Sequence, residues 1–211
     1  MKKFVVENFR KLSISSIFNA RVIKSEEFKI VVDSDDEDLL ERIKVRQVGD
    51  TVSINYEEKR SGFFKLFSIG SIGSIDIEIY CGDLDELKIS GVVKCFIDNF
   101  VGDSIKIKQS GATKLEGIIN YKKMDLKNSG TSYSNFEGVV EDLTITCSGC
   151  PKIEFSSLKS DYVNIIGSGC SMVEVNCSGD VDLTMSGSSK VKNNGSGRYG
   201  KINTSGLVKI S

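Results

Sequence analysis

The sequence predicts an all-β protein: a right-handed, single-stranded parallel β-helix (β-solenoid) of about ten coils of ~19 residues each, with a β-rich N-terminal cap and one short helix. Two observations predict this fold. The dipeptide Ser-Gly recurs seven times in one register, at spacings of 18 to 20 residues. A segment of alternating apolar and polar residues precedes most of these dipeptides, as in Leu143-Thr144-Ile145. Alternation with a period of two is typical of strands with one buried face.

The Ser-Gly dipeptides are interpreted as the corners of the coils. Glycine can adopt a positive φ at a sharp bend, and a serine hydroxyl can bind a free backbone group there. A repeat of this length is too short for the helical repeat families, and the sequence lacks the asparagine ladder of leucine-rich repeats. The predicted corner glycines are Gly91, Gly111, Gly130, Gly149, Gly169, Gly187 and Gly206.

The chain divides by pattern into an N-terminal β-rich cap with the first coils, residues 1–83, and a seven-repeat β-helix, residues 84–211. We expect the two parts to form one continuous structural domain. The segment from Ser34 to Glu37 is typical of a capping box, and it predicts a helix that runs to about Ile43. Acidic residues at 33–38 fit the positive end of that helix better than a calcium loop, because the glycine and distal glutamate of such a loop are missing.

Residues 59–74 combine basic, aromatic and flexible Gly-Ser positions. The favoured interpretation is a hairpin or irregular coil whose phenylalanines cover the end of the helix. The alternative is an exposed segment that contacts a membrane surface or a partner.

Composition argues against several classes of function. The 28 basic and 29 acidic residues give a formal charge of −1, which does not favour nucleic acid or an anionic membrane as partner. The chain has no histidine, the commonest general base and zinc ligand. The predicted solenoid has one arginine, Arg198, and no paired acidic ladder, whereas glycan cleavage needs clustered bases and carboxylates or calcium. We therefore predict a protein that is not an enzyme, has no catalytic residues and binds no metal or cofactor.

The cysteines are interpreted as buried, small apolar residues. The repeat register places Cys95 at a core position, and Cys150 and Cys170 at small-residue positions directly after a corner glycine. The alternatives are disulfides in a secreted protein, or redox or metal chemistry at Cys147 and Cys150, which have the C-x-x-C spacing. The full set is Cys81, Cys95, Cys147, Cys150, Cys170 and Cys177.

A lysine falls at a common register position in several repeats, so these lysines are predicted to share one column on the solenoid. Stacked about 4.8 Å apart, they would form a basic stripe that can meet a polyanionic glycan or an acidic partner. The alternative is a solvated face that keeps the protein soluble and discourages edge pairing. The candidate ligand-binding lysines are Lys94, Lys114, Lys152, Lys190 and Lys209.

The N-terminus has lysines before apolar residues, but its apolar run stops at Glu7 and is too short for a secretion signal. No stretch approaches the ~20 apolar residues of a membrane span. If the chain is complete, these features predict a cytoplasmic protein.

A longer pattern combines an early strand and acidic helix with the segments Gly49–Ile54, Ile75–Tyr80 and Leu84–Gly91 and the Ser-Gly series through Gly206. This pattern resembles the bacterial family called putative auto-transporter adhesin head GIN domain over about residues 18–211. The resemblance implies a right-handed parallel β-helix and a location at the cell surface or in the periplasm. It implies no catalytic residues for this chain.

Two hypotheses of function follow. The first is a non-catalytic binding or adhesion module at a bacterial cell envelope, with a glycan or protein ligand of unknown identity. The alternative is a cytosolic, self-assembling structural scaffold. The sequence stops at Ser211, in the middle of a repeat, and an uncapped solenoid end offers an edge for end-to-end homo-oligomers.

Overall fold

The computed structural model of the protein describes residues 1–57 and 75–211. The segment 59–74, for which the sequence favours a hairpin or irregular coil, lies outside the described residues. The predicted all-β fold with one short helix is confirmed. The helix, α1, is Glu37–Glu41, and the strands are β1 Lys2–Val5, β2 Lys11–Lys24, β3 Lys29–Asp33, β4 Ile43–Val48, β5 Thr51–Tyr56, β6 Asp76–Cys81, β7 Glu86–Gly111, β8 Lys114–Gly130, β9 Tyr133–Gly149, β10 Lys152–Gly167, β11 Met172–Asn193 and β12 Arg198–Ile210.

The solenoid is built from β2 and the long strands β7 to β12, each of which pairs in parallel with the next. Because side chains alternate along a strand, every second residue points inwards and stacks on its counterpart in the next coil. Burial of each such aliphatic side chain contributes about 1.5–3 kcal/mol. One ladder that is almost fully buried consists of Ile107, Leu126, Ile145, Ile165 and Leu183.

The glycines of the Ser-Gly series all have a positive φ, between 85° and 98°. They stack directly on one another, so that a Cβ atom at Gly130 would lie 2.9 Å from the carbonyl oxygen of Gly111. The residue after five of these glycines donates its amide hydrogen to the carbonyl oxygen of the glycine one coil earlier, as Thr131 does to Gly111 at 3.1 Å. This corner therefore accommodates a hydrogen atom but no methyl group, which explains why glycine recurs there.

The cap is organised by β2. On the side away from β7, the first half of β2 pairs in parallel with β5 and its second half with β6. The other cap strands pair antiparallel: β4 with β5, β3 with β6, and β1 with β3. Because these N-terminal strands cover one end of the solenoid instead of coiling, the solenoid has about 6 turns, and the prediction of about ten coils is wrong.

The helix of the cap begins later and ends earlier than predicted. Asp36, not Ser34, is the N-cap, and its carboxylate accepts a hydrogen bond from the amide nitrogen of Asp38 at 2.9 Å. The helix ends before Ile43, because Ile43 is the first residue of β4 and pairs with Tyr56. No helix in residues 1–57 or 75–211 is long and apolar enough to cross a membrane.

Candidate functional site

The candidate lysines occupy equivalent positions of the coils, but two other residues interrupt their column. Lys94 pairs in register with Lys114, whose neighbour on the next coil is Tyr133. In the order of the coils, the lysine column consists of Lys94, Lys114, Tyr133, Lys152, Met172, Lys190 and Lys209. The ammonium groups are therefore adjacent only at the two ends of the column.

Glutamates hold the two lysines in the middle of the column. Lys114 Nζ lies 2.7 Å from Glu116 Oε2, and Lys152 Nζ lies 2.6 Å from Glu154 Oε1. Both ammonium groups also flank the ring of Tyr133, at 5.6 and 5.7 Å from its centroid. The charge of these lysines is thus balanced on the same surface.

The tyrosine between these lysines joins the same network. Tyr133 Oη donates a hydrogen bond to Glu154 Oε2 at 2.7 Å, and this bond raises the pKa of the phenol to about 12. The hydrogen bonds from Lys152 and Tyr133 hold the pKa of the Glu154 carboxyl below its ordinary value. Glu154 is therefore ionised at neutral pH and offsets the charge of Lys152, so the column is not a continuous basic stripe.

A shallow groove of about 610 Å³ lies on the other side of the Ser-Gly corners from the lysine column. It runs across successive coils, because its lining residues occupy matching positions on adjacent strands. Ile105 and Met124, each 2% exposed, contribute to its apolar floor. Its polar lining includes Lys106, Lys123, Asp125, Asp142, Thr144 and Tyr162.

Acidic and basic groups are mixed in the groove. Lys123 Nζ lies 3.6 Å from Asp142 Oδ2, and Lys127 Nζ lies 3.9 Å from Asp125 Oδ2. The other oxygen of that carboxylate, Asp125 Oδ1, is inaccessible to solvent and has no hydrogen-bond partner among the described residues. Because this oxygen is buried, a ligand in the groove would contact the exposed ammonium and carboxylate groups, such as those of Lys123 and Asp142, and not this atom.

An aromatic ring stands at the edge of the groove. Tyr162 is 37% exposed, and its hydroxyl donates to Asp182 Oδ2 at 2.8 Å, which fixes the orientation of the ring. The backbone amide of Lys201, 2.7 Å from Asp182 Oδ1, and the Tyr162 hydroxyl hold the pKa of Asp182 below its ordinary value. Asp182 is therefore ionised at neutral pH and remains a strong acceptor for the tyrosine.

The interpretation of the cysteines as buried residues is right for four of them and wrong for two, Cys150 and Cys170, which are exposed because their corner position faces outwards. The C-x-x-C pair does not face a common site, since Cys147 is 2% exposed and Cys150 is on the surface. No group of three or more potential metal-ligating side chains occurs in the described part of the chain. The buried thiols are Cys81, Cys95, Cys147 and Cys177.

The match to a known family covers most of the chain. The family model described as "Putative auto-transporter adhesin, head GIN domain" matches residues 8–197. The chain belongs to this family. The resemblance that rests on the Ser-Gly series is thereby confirmed. No curated protein matches the GIN domain of this chain.

Solved structures share the fold of this GIN domain. A putative adhesin from Bacteroides fragilis NCTC 9343 is 18% identical, with a TM-score of 0.85 over 99% of this chain and 94% of that chain. A putative adhesin from Parabacteroides distasonis ATCC 8503 is 13% identical, with a TM-score of 0.77 over 100% and 95%. A putative lipid binding protein from the same strain is 12% identical, with a TM-score of 0.70 over 100% and 94%. Identities this low establish the fold alone.

Sequence reasoning singled out the lysine column and missed the groove of the GIN domain. A signal for the groove was present, because Lys123, Asp142 and Tyr162 occupy one register position ahead of the Ser-Gly corner. A signal for the ion pairs was present too. Residues two apart on a strand point to the same side, so the spacing of Lys114 and Glu116 indicates a pair.

Proposed function

We propose that this GIN domain is a non-catalytic binding module of the adhesion type, and that it holds a glycan chain in the groove. One observation carries the proposal: the groove combines the exposed ring of Tyr162 with the exposed ammonium and carboxylate groups of Lys123 and Asp142. A sugar ring has apolar C–H faces, and its hydroxyls both donate and accept hydrogen bonds. The tyrosine ring can pack against the C–H faces, and the carboxylate and ammonium groups can form hydrogen bonds with the hydroxyls.

The shape of the groove supports an extended ligand. Equivalent groups recur at the coil spacing of about 4.8 Å, so a chain laid across the coils meets Lys123, Asp142 and Tyr162 in succession. The groove is shallow and open, whereas sites for small molecules are concave and bury most of the ligand surface. A polymer can accumulate many modest contacts along such a surface.

The lysine column supports a polyanionic ligand less well, because Glu116 and Glu154 neutralise its middle. The lysines at the ends of the column remain candidates for binding anionic groups of a ligand. Among the described residues, no carboxylate lies within salt-bridge distance of them. These lysines are Lys94, Lys190 and Lys209.

A glycan array followed by calorimetry tests the groove. We expect Tyr162→Ala to weaken binding of the best array ligand at least about tenfold, which corresponds to about 1.4 kcal/mol. Tyr80→Ala is the matched control, because Tyr80 Oη also donates to a carboxylate, Glu78 Oε2, at 2.8 Å, but lies on the cap. An equal loss for both variants, a loss confined to Lys94→Gln, or no ligand on the array would contradict the proposal.

The same proposal places the domain at the bacterial cell envelope. It is supported by the family description and by neighbours described as adhesins. Fractionation and protease accessibility on intact cells test this placement. Digestion of the native protein on intact cells is the expected result, and a protected cytosolic protein would contradict an adhesion role.

A second candidate function is self-assembly through the edge of the solenoid that β12 forms. Among the described residues, β12 pairs only with β11, and Leu207 and Ile202 are 80% and 49% exposed. Unpaired edges with apolar side chains are templates for another chain. Light scattering at tens of micromolar should then show dimers that Leu207→Lys dissociates, whereas a monomer at every concentration would exclude this function.

A further inference from the structure

Two exposed cysteines are neighbours on adjacent coils. Cys150 follows the corner residue Gly149, and Cys170 follows Gly169. The amide nitrogen of Cys170 donates to the carbonyl oxygen of Gly149 at 2.8 Å. The same bond aligns the next corner, where Ser188 donates to Gly169 at 2.9 Å. The two cysteines therefore occupy equivalent positions of the corner column, with no residue of that column between them.

The spacing of the coils brings these two residues within reach of a covalent bond. Equivalent residues on adjacent parallel strands have Cα atoms about 4.8 Å apart. A disulfide needs Cα atoms about 4.4–6.8 Å apart and Cβ atoms about 3.5–4.5 Å apart. The Cα spacing fits, and the Cβ atoms have to tilt slightly towards each other. Both residues lie in bends between strands, where the backbone adjusts more easily than within a ladder.

The other four thiols lack this arrangement. Cys95 pairs in register with Ala20 and Leu115, and Cys147 pairs with Asn128 and Gly167. Cys81 and Cys177 likewise have no cysteine beside them in the recorded register, where their partners are Lys24 and Ser160. Burial also raises the pKa of the Cys81 and Cys95 thiols to about 12, which suppresses the reactive thiolate. Thiol chemistry is therefore concentrated at the exposed pair.

We propose that Cys150 and Cys170 form a reversible disulfide that clamps two adjacent coils of the solenoid. One thiolate attacks a small-molecule disulfide such as oxidised glutathione, which forms a mixed disulfide and releases one thiol. The second cysteine then attacks the sulfur of the first, closes the protein disulfide and releases a second thiol. The protein loses two protons and two electrons, and the small disulfide is reduced to two thiols.

The clamp encloses β10, the strand that carries Tyr162. It adds a covalent bond between coils that are otherwise joined by hydrogen bonds and side-chain packing. Because the bond is exposed and its Cβ atoms are tilted from the regular spacing, it is more easily reduced than an unstrained, buried disulfide. Its state therefore follows the thiol–disulfide balance of the surroundings.

Equilibration of the whole chain with glutathione buffers of different ratios tests the proposal. After alkylation and peptide mapping by mass spectrometry, we expect a cross-link between the two corner peptides, with the thiols titrated after unfolding falling from six to four. The melting temperature should rise by about 5–10 °C on oxidation. Cys150→Ser and Cys170→Ser should each abolish the cross-link and the rise in melting temperature.

Two double variants control for the register. Thr131→Cys with Cys170→Ser keeps two thiols on adjacent coils, at positions 131 and 150, and should restore the cross-link. Thr131→Cys with Cys150→Ser places the thiols two coils apart, about 9.6 Å, and should not form one. Glutathione adducts without a cross-link, disulfides only between molecules, or equal cross-linking in both double variants would overturn the proposal.

Discussion

Replacement of Gly111 by alanine tests whether the glycine column sets the spacing of the coils. At Gly111 φ is 85°, and an added Cβ atom would lie 2.6 Å from the carbonyl oxygen of Gly91. Ordinary contact begins at 3.4 Å, so the two coils have to separate there by about 0.8 Å. The hydrogen bond from the Ala112 amide to Gly91, now 2.9 Å, lengthens to about 3.7 Å and is lost.

The expected magnitude follows from these two effects. The left-handed backbone region costs alanine about 1–2 kcal/mol, and the lost hydrogen bond costs about 0.5–1.5 kcal/mol. We therefore expect Gly111→Ala to lower the free energy of unfolding by about 2–3 kcal/mol, which lowers the melting temperature by about 4–12 °C in a protein of this size. Urea-induced unfolding followed by circular dichroism measures the first quantity, and calorimetry measures the second.

Gly49→Ala is the matched control for Gly111→Ala. Gly49 also has a positive φ, 57°, but nothing lies within 4 Å of its added Cβ atom. The Gly49→Ala variant should lose only the backbone contribution, about 1–2 kcal/mol. If the free energy of unfolding falls by the same amount in both variants, to within about 0.5 kcal/mol, stacking of the corners does not contribute to stability.

Three further predictions concern the core, a buried hydroxyl and an ion pair. Phe155→Ala, at a fully buried position, should lower the free energy of unfolding in urea by about 3–5 kcal/mol; a loss under 1 kcal/mol would speak against close packing there. Tyr121→Phe removes the hydrogen bond to the Leu84 carbonyl oxygen, 2.8 Å, and should cost about 1 kcal/mol in thermal unfolding, whereas an unchanged stability would contradict the assigned bond. Because Lys152 and a tyrosine hold the pKa of folded Glu154 below its ordinary value, stability from this group is present at neutral pH and is lost as the pH falls through the carboxyl range. Glu154→Gln should therefore make the free energy of unfolding less sensitive to acid, and an identical pH profile would count against the pair.

The coils were predictable from the sequence because their constraint is local and repeated. Each corner needs a residue that tolerates a positive φ. A glycine such as Gly130 or Gly149 therefore marks a corner in the local sequence alone. The cap was less predictable, because its strands have the same apolar alternation as the coils. Whether Ile43 continues a helix or begins β4 depends on its pairing with Tyr56, and such a long-range contact leaves no local pattern.

The candidate site also has a part that the sequence predicts and a part that it does not. Register alone predicts that Lys94 and Lys114 share a column, because the repeat length fixes which residues stack. Register does not reveal that Tyr133 binds Glu154, or that Asp125 Oδ1 lacks a partner inside the groove. Those facts depend on side-chain rotamers and on the curvature of adjacent coils, which the spacing of residues does not determine.

The pairing of β2 with β7 has a consequence for the order of folding. Arg10 and Asp85, which form an ion pair at the start of this contact, are 75 residues apart in sequence, whereas each later coil meets its predecessor after about 19 residues. The entropy cost of closing a loop grows with its length, so contacts between the later coils form at lower cost than the contact of β2 with β7. The strand β2 then adds to a template that the later coils have already formed. We expect substitutions in β9 to slow refolding, and those in β2 chiefly to accelerate unfolding.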